Sequence, residues 1–170
     1  INQCNKFINS NTSHLIVTPN PEMVMLAKEN SEFKDILNQA SLVIPDGIGI
    51  IKGANILGTP LKERVAGYDL ICNLLALYQD GIHSCYFWGG KPGIAEMAKK
   101  KEEEKYPHIK ILGVDDGYFD ETKKQEIIAK IRNAKPDILL VGLGMLKQEK
   151  VIYELLRENL FKIGIGCGGS

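Results

Sequence analysis

Short apolar runs alternate with amphipathic stretches along the whole chain. His14 to Thr18 is β-rich and is broken by Pro19-Asn20-Pro21. Pro21 suits a first helical turn and opens a helix carrying Met23, Val24, Leu26 and Ala27. Ser31 to Ala40 reads as a second helix, capped by Ser31, with Phe33, Ile36 and Leu37 facing inward. Leu42 to Ile44 is a short strand, and the chain turns at Pro45-Asp46-Gly47 into a helix ending near Leu57. Gly58-Thr59-Pro60 breaks the pattern, and Lys62 to Gly67 is a polar connector. Tyr68 to Tyr78 is apolar nearly all round, which predicts a buried helix or a subunit interface. Ser84 to Trp88, Ile109 to Val114, Ile138 to Val141 and Phe161 to Ile165 read as further strands. Between them lie helices over Ile94 to Lys105, Glu121 to Ala134 and Lys147 to Glu158.

Strands that alternate with helices of this length predict βαβ units, a parallel sheet and right-handed crossovers. The expected fold class is α/β: a single doubly wound Rossmann-like domain over 1–170, with a mostly parallel six-stranded sheet and helices on both faces. Ile138 to Val141 is a continuous apolar run, as a strand covered on both faces requires.

Composition narrows the chemistry. Lys+Arg and Asp+Glu both number 21, so the formal net charge is zero and nothing electrostatic favours nucleic acid as a partner. The longest apolar runs fall far short of the ~20 residues of a membrane-spanning helix. Cys4, Cys72, Cys85 and Cys167 form no CxxC pair, and with three scattered histidines they predict no metal site. They read as reduced thiols of a cytosolic protein. Lys99 to Lys105 reads as a solvated helix face. The chain ends on Gly166-Cys167-Gly168-Gly169-Ser170, a turn after which a helix is expected.

In a doubly wound sheet the turns at the carboxyl ends of the strands face one crevice. Here they carry Thr18 and Asn20, Asp46, Gly89 and Gly90, Gly117 and Tyr118, Gly142 and Gly144, and Gly168 and Gly169. Asp46, between a proline and a glycine, reads either as a catalytic base or as the cap of the helix that follows. The glycines read either as tight-turn residues or as backbone N–H donors for phosphate. No GxGxxG follows the first strand, and P-loop, GxSxG and HExxH motifs are absent. These residues favour a nucleotide ligand without dictating a reaction.

Seven stretches, in order, resemble one family. They are Thr18 to Glu22, Pro45 to Gly49, Arg64 to Leu70, Phe87 to Gly93, Gly117 to Phe119, Val141 to Gly144 with Lys147 to Lys150, and Gly166 to Ser170. The chain resembles the WecG/TagA/CpsF glycosyltransferases over its whole length, in particular the branch that transfers N-acetylmannosamine in wall teichoic acid synthesis. The resemblance implies a metal-independent, inverting transfer that needs no cofactor. It implies UDP-N-acetylmannosamine as donor and undecaprenyl-diphosphate-linked N-acetylglucosamine as acceptor, joined β-1,4 at the inner face of the bacterial plasma membrane. It gives Asp46 the role of general base and places Thr18 and Gln148 in the same catalytic pocket. Asn20 and Arg64 match pocket positions, Arg64 suiting a diphosphate through its planar donor fork. Tyr118 reads either as a packing partner for the uracil or as an ordinary core or surface packing residue.

Two residues depart from the family pattern: Leu146 stands where proline is usual and Val151 where tryptophan is. Family members continue beyond the last glycine turn with a basic, aromatic, membrane-associating tail, so the 170-residue chain is expected to bind UDP weakly and turn over poorly. The competing expectations are another nucleotide-dependent Rossmann-like enzyme, an oxidoreductase or methyltransferase, and a non-catalytic nucleotide-binding module.

Overall fold

The computed structural model describes residues 1–56, 58–59 and 66–168. The elements follow in the order α1 (Asn2–Ile8), β1 (His14–Val17), α2 (Pro21–Glu29), α3 (Ser31–Gln39), β2 (Leu42–Val43), α4 (Ile48–Ile56) and α5 (Gly67–Leu77). They continue with β3 (Ser84–Gly89), α6 (Ile94–Lys105), β4 (Lys110–Asp115), α7 (Glu121–Ala134), β5 (Ile138–Gly142), α8 (Lys147–Leu155) with a 3₁₀ turn over Leu156–Glu158, and β6 (Ile163–Gly166). Side-chain caps fix several helix starts. Asn20, Asn30 and Asp120 accept from the backbone N–H of Met23, Phe33 and Lys123 at 2.8–2.9 Å.

The strands form one parallel sheet in the order β2-β1-β6-β5-β3-β4. Period-two alternation sends each strand's side chains to two different cores. Ile16, Cys85, Phe87, Ile138, Leu140, Ile163 and Ile165 pack with Cys4 and Phe7 of α1 and with Leu70, Ile71, Leu74 and Leu75 of α5. Leu15, Val17, Tyr86, Trp88, Leu139 and Val141 pack on the other face with Ile36 of α3, Ile127 and Ile131 of α7, and Val151 and Ile152 of α8. The chain leaves β3 toward α6 on the first face and leaves the neighbouring β5 toward α8 on the second. That divergence opens a crevice at their carboxyl ends.

β6 is built differently on its two faces. Ile163 and Ile165 point into the α5 core, while Gly164 and Gly166 point at α8. A Cβ on Gly164 would stand 2.4 Å from Ile152 Cγ2, and one on Gly166 would stand 2.5 Å from Gln148 Nε2. The missing side chains therefore let α8 lie directly against the strand.

The expected α/β architecture is the observed one, with local differences. Asn30, not Ser31, caps α3, because its side-chain oxygen reaches Phe33 N–H from the residue before the helix. The helix expected over Tyr68 to Tyr78 is α5, and it is not buried all round. Leu70, Ile71, Leu74 and Leu75 are buried, whereas Tyr68 and Leu77 are exposed. α4 is rich in isoleucine yet contains no buried residue. β6 begins two residues later than expected, because Phe161 belongs to the turn that precedes it.

This division predicts contrasting costs of truncation. Leu74, fully enclosed, should lose about 2–5 kcal/mol of unfolding free energy on replacement by alanine. Ile56, 85% exposed, should change it by no more than about 0.5 kcal/mol. Urea denaturation of the two variants measures both.

Candidate active site at the carboxyl edge of the sheet

The turns that leave the strands are stitched together by their backbones. Gly90 N–H donates to Gly142 O at 3.0 Å, and Gly117 N–H donates to Gly90 O at 2.8 Å. Cys167 N–H donates to Val141 O at 2.9 Å, and Ile44 and Asp46 N–H donate to Val17 O and Pro19 O at 2.9 and 3.0 Å. Gly168 N–H donates to the Gln148 side-chain oxygen at 2.9 Å. The N–H groups of Gly90, Gly117 and Gly168 are thus engaged within the protein. Of the two readings open for these glycines, tight-turn residues or phosphate donors, these bonds favour the first for Gly90, Gly117 and Gly168, which bring turns into contact.

A cavity of about 860 Å³ opens over these turns, between α5 and α6. Gly89, Gly90, Gly117, Tyr118, Gly142 and Gly168 all line it, as expected of a ligand site at the strand ends. Its walls are mostly apolar, with Ile71 and Leu75 from α5 and Ile94 and Ala98 from α6. Tyr118, a residue 62% exposed, lines this cavity and offers a ring to a planar ligand. Lys91, Lys101 and Glu102 supply the charge. The last two belong to the run read as a solvated face. The helix turn that exposes Lys100 brings Lys101 and Glu102 round to the cavity. The signal for this wall lay in the sequence as the spacing Ile94, Ala98, Lys101, which is one helix face.

Asp46 and Thr18 lie at the adjoining end, across the start of α5. Gly67 N–H, the first of α5, donates to Asp46 Oδ2 at 3.3 Å. A Cβ on Gly67 would stand 3.0 Å from Thr18 Oγ1, so the hydroxyl also reaches this helix start. Asp46 Oδ1 has no donor among the described residues. Asp46 therefore does not cap its own following helix, the alternative open in the sequence. It faces the positive end of a helix that begins 21 residues later. Tyr68, the next residue of α5, lines the cavity, which joins the Asp46 end to the glycine turns.

Gln148 is buried in the first turn of α8, and its contact with Gly168 joins it to the opposite wall of the cavity. Asn20 Oδ1 is occupied in capping α2. Gly144 shapes the turn before α8, with a φ of +82° and its carbonyl accepting from Gln148 N–H at 3.1 Å, and it lies outside the cavity lining. Arg64 and Gly169 lie outside the described residues. Glu149 is buried next to Gln148 in the same helix turn. Among the described residues no three acidic, histidine or cysteine side chains converge as a metal-ligand set. None of the described helices is long and apolar enough to cross a membrane.

Comparison with known proteins gives a consistent result. The family model of the "Glycosyl transferase WecG/TagA/CpsF family" matches residues 1–170. An N-acetylglucosaminyldiphosphoundecaprenol N-acetyl-beta-D-mannosaminyltransferase of Bacillus spizizenii is 31% identical over 164 residues, covering 96% of this chain and 63% of the relative. Proteins of the same name from Bacillus subtilis and Staphylococcus aureus are 32% and 33% identical, each over 96% of this chain and 63% and 64% of the relative. The chain thus spans a little under two thirds of the length of the curated relatives it matches.

Cys167 offers a chemical check on the cavity floor. Burial, reinforced by the nearby Glu149 charge, pushes its thiol up to about 11. At pH 8 the thiolate is then roughly one part in a thousand, about 100-fold below an ordinary thiol. Alkylation of Cys167 by iodoacetamide, followed by peptide mass spectrometry, should be correspondingly slow. Its rate should keep climbing about tenfold per pH unit to pH 10 instead of levelling off near 9.

Proposed function

The chain belongs to the WecG/TagA/CpsF family of glycosyl transferases, and from that membership we propose that it transfers N-acetylmannosamine from UDP-N-acetylmannosamine to N-acetylglucosamine carried on undecaprenyl diphosphate. The observation that carries the reading is the Asp46 carboxylate, held against the α5 start beside Thr18 and at the edge of a cavity lined by glycine turns and Tyr118. The names of the relatives supply the sugar and the lipid acceptor.

In this mechanism the uridine enters the cavity and stacks on Tyr118, while the sugar points toward Asp46. The acceptor's C4 hydroxyl oxygen attacks the anomeric carbon from the face opposite UDP. The new C–O bond forms as the bond to the diphosphate breaks, so the configuration inverts and the electron pair leaves with UDP. Asp46 takes the hydroxyl proton. The carboxylate oxygen with no donor among the described residues is the one suited to this step, the other being tied to Gly67 N–H. Thr18 and Gln148 hold the donor sugar or the diphosphate by hydrogen bonds, and Arg64 and Asn20 complete the pocket. The step asks for no metal from the protein. The acceptor is a membrane lipid, so the enzyme works as a peripheral protein at the cytoplasmic face of the membrane.

The test is Asp46→Asn in the full-length protein, with UDP-N-acetylmannosamine and a short-chain N-acetylglucosaminyl diphosphate lipid. Removing a general base should lower kcat by about 10²–10⁴ and leave the donor KM little changed. Transfer at the wild-type rate would refute the base assignment. The competing oxidoreductase and methyltransferase readings separate in a thermal-shift comparison. UDP should raise Tm, by the equivalent of about 2.7 kcal/mol at 100 times its Kd, while NAD and S-adenosylmethionine should leave it unchanged.

A further inference from the structure

Four polar or charged residues are buried among the described ones: Ser84, Asp115, Gln148 and Glu149. Ser84 is bound by Asp137, and Asp115 by Tyr86 and Lys130. Glu149 differs from both. It is 2% exposed and has no cation partner among the described residues. Its carboxylate is held by two neutral donors: Leu146 N–H to Oε2 and Gln148 Nε2 to Oε1, each at 2.7 Å. A buried carboxylate without a counter-charge is costly, and an apolar residue of similar size is ordinarily the more stable choice. Burial accordingly raises its pKa.

The surroundings show what the carboxylate does. Gln148 donates from Nε2 to Glu149 and accepts at Oε1 from Gly168 N–H at 2.9 Å. Turning this amide over would set its NH₂ against the Gly168 N–H and its oxygen against the carboxylate, two like-with-like contacts in a buried site. Glu149 therefore permits one orientation of Gln148 only. Its second oxygen holds the turn before α8, where Leu146 has a φ of +71° and ψ of −51°, a sparsely populated conformation for a residue with a side chain. Gly166 completes the arrangement, since a Cβ there would stand 2.5 Å from Gln148 Nε2 and 2.8 Å from Glu149 Oε1.

We infer that Glu149 is a positioning residue: it fixes the orientation of the Gln148 amide and, through it, the Gly166–Gly168 turn that forms one wall of the cavity. The link to turnover rests on the proposed transferase reading, in which Gln148 holds the donor. The link to the turn does not.

Glu149→Gln in the full-length protein tests both links, because glutamine offers one acceptor where two donors need one. Leaving a buried donor unmet costs about 1–3 kcal/mol, which is roughly 5- to 150-fold in an equilibrium or rate. By NMR-detected hydrogen exchange, the Gly168 amide should exchange tenfold or more faster in the variant, with the amides of Leu139 and Leu140 in β5 unchanged. Unchanged exchange at Gly168 overturns the inference. In transfer assays the variant should lose tenfold or more in kcat, yet lose less than twofold when introduced into Gln148→Ala, because its effect passes through that side chain. Losses that multiply in the double variant overturn the inference. If Gln148→Ala itself transfers like wild type, the transferase role of Gln148 fails, and the exchange measurement alone decides the positioning role. Glu149→Asp, which keeps the charge and shortens its reach, takes the same two measurements if the glutamine variant does not fold.

Discussion

How closely α8 lies on β6 governs the carboxyl edge of this sheet. A strand usually meets a helix through layers of side chains. Here Gly164 and Gly166 remove that layer on one face, while Ile163 and Ile165 keep it on the other. The first turn of α8 then sits within hydrogen-bonding distance of the chain leaving β6, and a glutamine and a glutamate can be buried there together. With any side chain at position 166, Gln148 and Glu149 would have to move apart from the strand. The burial of both polar groups follows from the two missing Cβ atoms, not from the helix sequence.

The candidate site has two ends with different physics. At the glycine turns, backbone hydrogen bonds run from Gly117 to Gly90 and from Gly90 to Gly142, forming a rigid rim under an apolar cavity. Such a rim recognises shape and offers stacking, chiefly through Tyr118. At the other end a half-buried carboxylate and a hydroxyl meet the start of α5. That end carries charge and proton-accepting capacity. α5 joins them, since Gly67 contacts Asp46 and Thr18 while Tyr68, Ile71 and Leu75 line the cavity. A ligand with a flat ring at one terminus and a reactive centre at the other matches this layout.

Periodicity made the architecture legible. α6 and α7 begin and end where the pattern predicts, because their apolar spacing, a Gly93 start and an Asp120 cap are all local signals. The location of Asp46, Thr18 and the glycines on one edge was likewise legible, since a parallel α/β topology forces every strand's carboxyl end to the same side. What escaped was tertiary. Nothing local tells that the Gly90 and Gly117 N–H groups are consumed by neighbouring turns. The burial of Glu149 depends on glycines 15 and 17 residues away in sequence, which no window around α8 contains.

Asp46 shows the same lesson at the residue on which the proposed transfer turns. Its proline–glycine setting is a local signal for a tight turn and, equally, for a helix cap. The structure separates these possibilities through a contact made across the sheet edge, in which the carboxylate faces α5 and not α4. A cap on the adjoining helix would have tied the carboxylate to residues that move with it and left it part of a local turn. Tied instead to α5, its position is set by a helix whose other face is packed into the sheet through Leu70 and Leu74. The carboxylate is thereby placed by the core, while its other oxygen meets no donor among the described residues. That combination, a position set across the sheet edge and an acceptor oxygen that no described residue occupies, suits the proposed general base better than it suits a helix cap.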